Sequence, residues 1–319
     1  TACSADLDQE IREKIRGEIA RRQTGKNGYL GPKEARLLQA HLAKRPLSIS
    51  ALETYGTCPF RYFCRYWLQI QPLPEPEIIP SRLTEGQIIH SILKEFFLGH
   101  RGEVLKRKRF HEYIEDIRAL VQRRYPQIDA ATSMLTHNLL MLGRENLVST
   151  LTKVIKEEIE WAEATDGRFT PRYFELGFGG VVGEVDPEST LQPLQLTLEK
   201  APLSQPSLRL LGKIDRVDTD GAGNFIVYDY KSGKAPAKAE INEGKRLQLP
   251  LYLLAVSQLF QPGGTPVGAA YYSLSQTNRL RGIWRKEALD LGAKINGALP
   301  AQEWEAVLGN ACFVAFCSY

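Results

Sequence analysis

Two aspartates and a lysine are the residues whose types and spacing could do chemistry. They lie in Leu208–Lys234, LRLLGKIDRVDTDGAGNFIVYDYKSGK, which reads as two strands joined by a Gly/Asp/Asn-rich turn, the pattern of a β-hairpin. With a turn symmetric about Ala222, Asp215 lies opposite Asp229. Side-chain alternation then puts Phe225, Val227, Asp229 and Lys231 on one face. Like charges directly opposite one another destabilise a sheet, so a hairpin that keeps Asp, Asp and Lys together calls for a cation or a phosphate. Mg²⁺ prefers carboxylate and carbonyl oxygens and keeps several of its waters, so two carboxylates on adjacent strands would fill only part of its shell. Such an ion polarises a phosphorus centre and lowers the pKa of an attacking water, the chemistry of phosphodiester hydrolysis. Lys231 could orient that water or neutralise charge developing in the transition state. Glu175, on a neighbouring strand, is a further ligand candidate. By spacing alone, an exposed Asp–Lys ion pair of little energetic consequence fits the D-x-K triplet equally well.

The surrounding sequence predicts the elements that must hold these groups. Residues 5–23 (Leu7, Ile11, Ile15, Ile19) and 33–43 read as helices, so 1–46 forms an N-terminal helical segment. LSISALETYGTCPFRYFCRYWLQI (47–70) opens with Ser48 and Ser50 as N-cap candidates. It then carries Tyr55, Phe60, Tyr62, Phe63, Tyr66 and Trp67, either core aromatics, which packing favours, or a surface on which bases stack. Four prolines make 71–81 a linker. In TEGQIIHSILKEFFLG, Ile88, Ile89, Ile92, Leu93 and Phe96 form an apolar helical stripe with His90 beside it. A lone His there is more often structural than a ligand.

Residues 103–165 read as helical, broken near Pro126. Their basic runs, 106–109 and Arg123–Arg124, suit solvated faces or phosphate contacts alike. Strands follow at 172–180, 194–199, the hairpin, 267–275 and 279–286. A helix over 245–260 places Gln248 and Tyr252 four apart on one face, and it accommodates Pro250 only near its first turn. The expected architecture is an α/β sandwich with a long helical insertion, about 100–168.

Composition excludes little else. The 319 residues are 43% hydrophobic and 24% charged, with net charge +4 and no apolar run of membrane-spanning length. The mild charge does not by itself announce a nucleic-acid binder. The chain starts at Thr1 without a signal peptide, which reads as a cut inside a longer protein. Five unevenly placed cysteines (3, 58, 64, 312, 317) argue against a secreted disulfide framework and for reduced thiols or metal ligands. The expectation is a cytoplasmic protein without a membrane partner.

GKIDRVD, thirteen residues between Asp215 and Asp229, VYDYKSGK and QLPLYLLA together resemble the motif set of the PD-(D/E)XK nuclease superfamily. More narrowly they resemble the branch holding the RecB nuclease domain, the AddB C-terminal nuclease and CRISPR-adaptation nucleases. The resemblance implies a restriction-endonuclease-like α/β core over 47–319, a central mixed β-sheet flanked by helices. It implies His90 as a metal ligand, Glu175 as a further acidic site residue, and Asp215, Asp229 and Lys231 as the catalytic set. The Tyr230 carbonyl would also meet the metal, and Gln248 and Tyr252 would contact DNA or brace the site.

The 47–70 segment is similar to the entry of AddB-type domains, where a Cys before Pro begins the ligand set of a [4Fe–4S] cluster. Cys58 matches it, and Cys312 and Cys317 fall in the region of the others, with wider spacing than C-x-x-C and no fourth family-placed cysteine. The implied function is a Mg²⁺- or Mn²⁺-dependent exonuclease on single-stranded DNA, fed by a helicase partner in double-strand break repair. An inactive nuclease-fold DNA-binding or scaffolding module is the alternative, and a CRISPR-adaptation nuclease a weaker third.

Overall fold

The computed structural model describes residues 46–71, 73, 79–126, 133–197, 207–276, 278–286, 295 and 297–317. The helices expected at 5–23 and 33–43, and most of the proline linker, lie outside these residues.

Strand β4, Ser207–Thr219, is the hub of a seven-stranded mixed sheet. Its first half pairs in parallel with β1 (Leu47–Ser48) and antiparallel with β3 (Leu194–Thr197). Its second half pairs antiparallel with β2 (Thr170–Phe178) and with β5 (Phe225–Lys231). Beyond β5 lie β6 (Pro266–Ser273), parallel to it, and β7 (Asn278–Trp284), antiparallel to β6.

Helices cover both faces. Below the sheet lie α1 (Ile49–Thr57), α7 (Gln248–Ala255) and α8 (Ala301–Cys317), whose Leu52, Leu251 and Trp304 share one apolar core with Phe225 and Val227. Above it lie α3 (Arg82–Gly99), α4 (Phe110–Arg124) and the 31-residue α5 (Met134–Ala164), whose Ile92, Ile117 and Leu151 share a second core with Ile226 and Tyr228. Strand β5 thus feeds alternate side chains to the two cores, as period two demands. Each fully buried aliphatic or aromatic side chain contributes about 1.5–3 kcal/mol. The short α2 (Pro59–Tyr62) follows α1, and α6 (Lys238–Asn242) precedes α7. Pro250 sits in the first turn of α7, where its missing N–H costs nothing. The mixed sheet, flanking helices and long insertion match the architecture expected from the sequence.

Two expectations outside the site resolve differently. The 55–67 aromatics do not enter either core as packing would have it: Phe60 is 74% exposed, and Tyr55, Phe63 and Trp67 are exposed too. They stack on one another instead, Tyr55 edge-on to Tyr62 at 5.4 Å and Tyr62 on Tyr66 at 5.2 Å. The basic runs are ion-paired surface: Arg107 with Glu163, Arg109 with Glu112, and Arg123 and Arg124 together on Glu95.

Candidate active site

The cleft between α3 and the ends of β4 and β5 gathers the chemistry, and each wall has a local cause. Ser81 caps α3 by accepting the Thr84 N–H at 3.3 Å. The stripe Ile89, Ile92, Leu93 and Phe96 pins the helix to the upper core and turns His90, half-buried, to the cleft. Gly86, one turn earlier, faces Ser232 so closely that a Cβ would lie 3.1 Å from its Oγ.

On β2, Glu175 has φ +55°, the left-handed region in which a side chain is strained. The residue breaks the alternation of its strand. Tyr173 points to the lower core and Phe174 to the upper, yet Leu176 and Phe178 both return to the lower. Such a conformation costs about 1–3 kcal/mol and clusters at functional sites. Here it re-aims a carboxylate that regular pleating would place elsewhere.

The hairpin register is the one a turn centred on Ala222 requires. The last paired residues are Arg216 and Tyr228, and continuing it sets Asp215 opposite Asp229. There the ladder gives way: the Asp215 carboxylate accepts the Tyr230 N–H at 2.7 Å. Asp215 Oδ2 also lies 3.6 Å from His90 Nδ1. One donor atom each from His90, Glu175 and Asp215 falls within 4.8 Å of the others. Asp229 stands outside this trio, with Lys231 Nζ 2.5 Å from its Oδ2. Glu175 is therefore more central, and Asp229 less so, than their order along the sequence suggests.

The electrostatics follow from crowding. Burial first, then Asp229 and Glu175, push the Asp215 pKa well above the ordinary carboxylate value, against the pull of the Tyr230 N–H and Lys231. Burial lowers the His90 pKa although Asp229 and Glu175 oppose it, leaving a neutral imidazole with a lone pair to give. Burial works against the Lys231 ammonium, but Asp229 outweighs it and the pKa rises. Lys231 is therefore a fixed cation at neutral pH.

Gln248 and Tyr252 support this arrangement from α7. Gln248 Oε1 accepts from Lys231 Nζ at 3.2 Å. Tyr252 is buried with Phe178 beneath the site, where Gly212 is needed because a Cβ would meet both rings.

Hard carboxylate donors from Glu175 and Asp215 with one neutral imidazole fit a divalent cation such as Mg²⁺ or Mn²⁺. The Tyr230 carbonyl is within hydrogen-bonding reach of His90, beside the same donors. The iron–sulfur expectation fares differently. Cys58 caps α2 by accepting the Arg61 N–H at 3.5 Å. Cys312 packs against the lower core, where burial pushes its thiol pKa up. Cys58, Cys64 and Cys312 are free thiols that form no three-ligand group among the described residues. The side chain of Cys317 lies outside those residues.

Two residues that bear on the site escaped the sequence reading. Glu53 of α1 accepts the N–H groups of Leu247 and Gln248 at 2.7 and 3.1 Å, capping α7 from 194 residues away. No local signal announces a cap so distant. Lys213, ion-paired to Glu175, was legible, since K-x-D precedes the turn as D-x-K follows it.

The cleft, about 490 Å³, is lined by His90, Glu175, Lys213, Tyr230, Lys231 and Lys234 among others. Comparison with known proteins bears on what it does. The chain is 32% identical over 287 residues to an ATP-dependent helicase/deoxyribonuclease subunit of Moorella thermoacetica, covering 83% of this chain and 23% of that protein. It is 29% identical over 259 residues to the Alkaliphilus oremlandii protein of the same name, covering 77% and 21%. The Clostridioides difficile counterpart is 31% identical over 231 residues, covering 70% and 18%. The chain thus spans about a fifth of the length of these relatives. The family profile that matches residues 46–315, nearly the whole described fold with every cleft residue inside it, places the chain in the PD-(D/E)XK nuclease superfamily, to which it belongs.

Proposed function

We propose that this domain is a metal-dependent deoxyribonuclease that degrades single-stranded DNA from its ends. It would leave 3′-hydroxyl and 5′-phosphate termini as the nuclease part of a cytoplasmic helicase–nuclease acting in double-strand break repair. The observation that carries the reading is the His90–Glu175–Asp215 donor trio set beside the Asp229–Lys231 pair, with His90, Glu175 and Lys231 lining one cleft. His90, Glu175 and Asp215 would hold Mg²⁺ or Mn²⁺, with Asp229 and the Tyr230 carbonyl as the adjoining oxygens. When bound, the ion would activate water and polarise the phosphate.

The chain's own residues do the rest. Lys231, protonated and held by Asp229 and Gln248, serves as a cation against charge growing on the phosphate and not as a base. The neutral His90 gives its lone pair, and the Tyr230 N–H fixes the Asp215 carboxylate in place. Exposed Tyr55, Phe60, Phe63 and Trp67 suit unpaired bases, and the neighbouring Arg61 and Arg65 make no ion pair among the described residues. The printed names of the relatives, helicase/deoxyribonuclease subunits, support a helicase partner.

The test is digestion of end-labelled linear and of circular single-stranded DNA by the 319-residue chain with Mn²⁺. Linear DNA is expected to be degraded and circular DNA spared, with Asp229→Ala at least about 100-fold slower. Equal cleavage by both proteins would sink the assignment. No cleavage by either would favour a DNA-binding or scaffolding module.

A further inference from the structure

Two lysines border the acidic set, and they are held differently. Lys213 stands two residues before Asp215 as Lys231 stands two after Asp229. The β4–β5 ladder ends at Arg216 and Tyr228; beyond it Lys213 lies across from Gly177 of β2 and Lys231 across from Ser273 of β6. Both line the cleft.

Lys231 is committed. Asp229 lies at 2.5 Å, Gln248 Oε1 at 3.2 Å, and its ammonium sits 5.2 Å from the centre of the Tyr271 ring. Lys213 has one ion-pair partner among the described residues, Glu175, and its side chain is 39% exposed against 12% for that carboxylate. The ammonium thus rests on a member of the donor trio that would take a divalent ion. An ammonium and a divalent ion repel at contact distance, so an ion bound at Glu175 loosens the exposed lysine's hold on that carboxylate. The lysine stem is long and flexible enough to let its head leave while the stem stays against the strand.

We propose that Lys213 is a placeholder cation that becomes a phosphate-binding residue. Before a divalent ion arrives it neutralises Glu175. Displaced by the ion, its ammonium turns to a non-bridging phosphate oxygen of the DNA strand in the cleft. Ion and DNA binding are then positively coupled through one side chain, and the coupling is reciprocal. The inference rests on the metal-dependent nuclease reading and adds to it how substrate engagement is conditioned on the ion.

The test compares wild type, Lys213→Met and Lys213→Arg in two binding assays. Calorimetric titration with Mn²⁺ alone should show Lys213→Met binding the ion about three- to tenfold more tightly, since no ammonium must be displaced. Anisotropy with a cleavage-resistant phosphorothioate oligonucleotide should show Mn²⁺ strengthening DNA binding by wild type. That gain should shrink about tenfold in Lys213→Met and persist largely in Lys213→Arg. Unchanged or weaker Mn²⁺ binding by Lys213→Met, or an unchanged gain in DNA affinity, overturns the proposal while wild-type cleavage leaves the nuclease reading standing. A wild-type chain that neither binds Mn²⁺ nor cleaves brings down both.

Discussion

Residues 215 and 216 are neighbours on one strand, yet they open into two opposite kinds of charge cluster. On the cleft side, Asp215 joins Glu175, Asp229, Lys213, Lys231 and a neutral His90, three carboxylates against two ammonium groups. On the other side, Arg216 lies sealed beneath α5 with Glu158, Asp218 and Arg279, two guanidiniums against two carboxylates. Glu158 clamps Arg216 through two bonds of 2.9 Å and takes Arg279 at 2.7 Å. Asp218 holds Arg216 through bonds of 2.5 and 2.7 Å. Arg279 also lies over the Trp161, Tyr228 and Tyr272 rings at 5.0–5.1 Å. Although burial raises its pKa, the two guanidiniums overcome that and hold the Glu158 carboxyl below its usual value.

The difference teaches what each cluster is for. A charge-balanced network ties the helical insertion to β4 and β7, with Arg216 bonded to two carboxylates and Arg279 bonded to Glu158 through one nitrogen. The other is unbalanced, with a strained Glu175 among its three carboxylates, and on the proposed reading a divalent cation would restore the balance.

The largest expected effect comes from unbalancing the sealed side. Glu158→Ala leaves the buried Arg279 without a carboxylate and Arg216 with Asp218 alone, and breaking a buried pair in this way costs about 3–5 kcal/mol. Thermal melts should show a Tm drop on the order of 10 °C. Asp229→Asn, in metal-free buffer, should keep or raise Tm, because it removes one of the charges that crowd Asp215. Similar Tm losses in the two variants would mean that the clusters are not different in kind.

Much of the open side could be read from the sequence, and little of the sealed side. The hairpin was legible because alternation and a Gly-rich turn are local signals, and the register follows from them once the turn is centred on Ala222. The α3 stripe located His90 for the same reason. Arg216 and Asp218 read only as part of a motif, since charged residues are rarely fully buried and their partners, Glu158 and Arg279, lie about 60 residues away on either side. The turned conformation of Glu175 leaves no mark on residue type, because strain is imposed by the surrounding sheet. The aromatics of 55–67 misled in the opposite direction. Their density suggests a core, but Tyr55, Phe60, Phe63 and Trp67 stay exposed.

A smaller effect sharpens the comparison where the sealed network meets a group it does not neutralise. Glu157, beside Glu158 on α5, accepts the Arg279 backbone N–H at 3.3 Å, and no carboxylate-neutralising ion pair joins it among the described residues. Burial foremost, with Glu158 adding, raises its pKa from 4.5 to about 7, against Arg279 and Tyr272. The folded chain therefore keeps a proton that the unfolded chain gives up near pH 4.5. Its stabilising contribution is full below pH 4.5 and is lost as pH rises through about 7. Glu157→Gln, neutral throughout, should be more stable than wild type at pH 8 by about 1–3 kcal/mol. That advantage should vanish below about pH 4.5, as denaturant midpoints across pH would show. An advantage independent of pH would place its origin in packing.

The smallest effect asks to which cluster Glu53 belongs. Its carboxylate caps α7 and stands near Lys231, so it could act as a lone-pair acceptor or as a fourth acid of the cleft. Burial first raises its pKa, over the opposing Leu247 and Gln248 N–H bonds, which favours the acceptor role: a capping oxygen need carry no charge. Glu53→Ala should then cost about 0.5–2 kcal/mol, the usual loss of an N-cap. It should also lower kcat a few-fold with KM little changed, because Gln248 loosens and Lys231 with it. Glu53→Gln keeps an oxygen on both N–H groups and should restore stability and kcat together. If Glu53→Gln recovers stability but not kcat, the charge itself is felt at Lys231, and the open cluster holds four carboxylates, further from balance than its sealed neighbour.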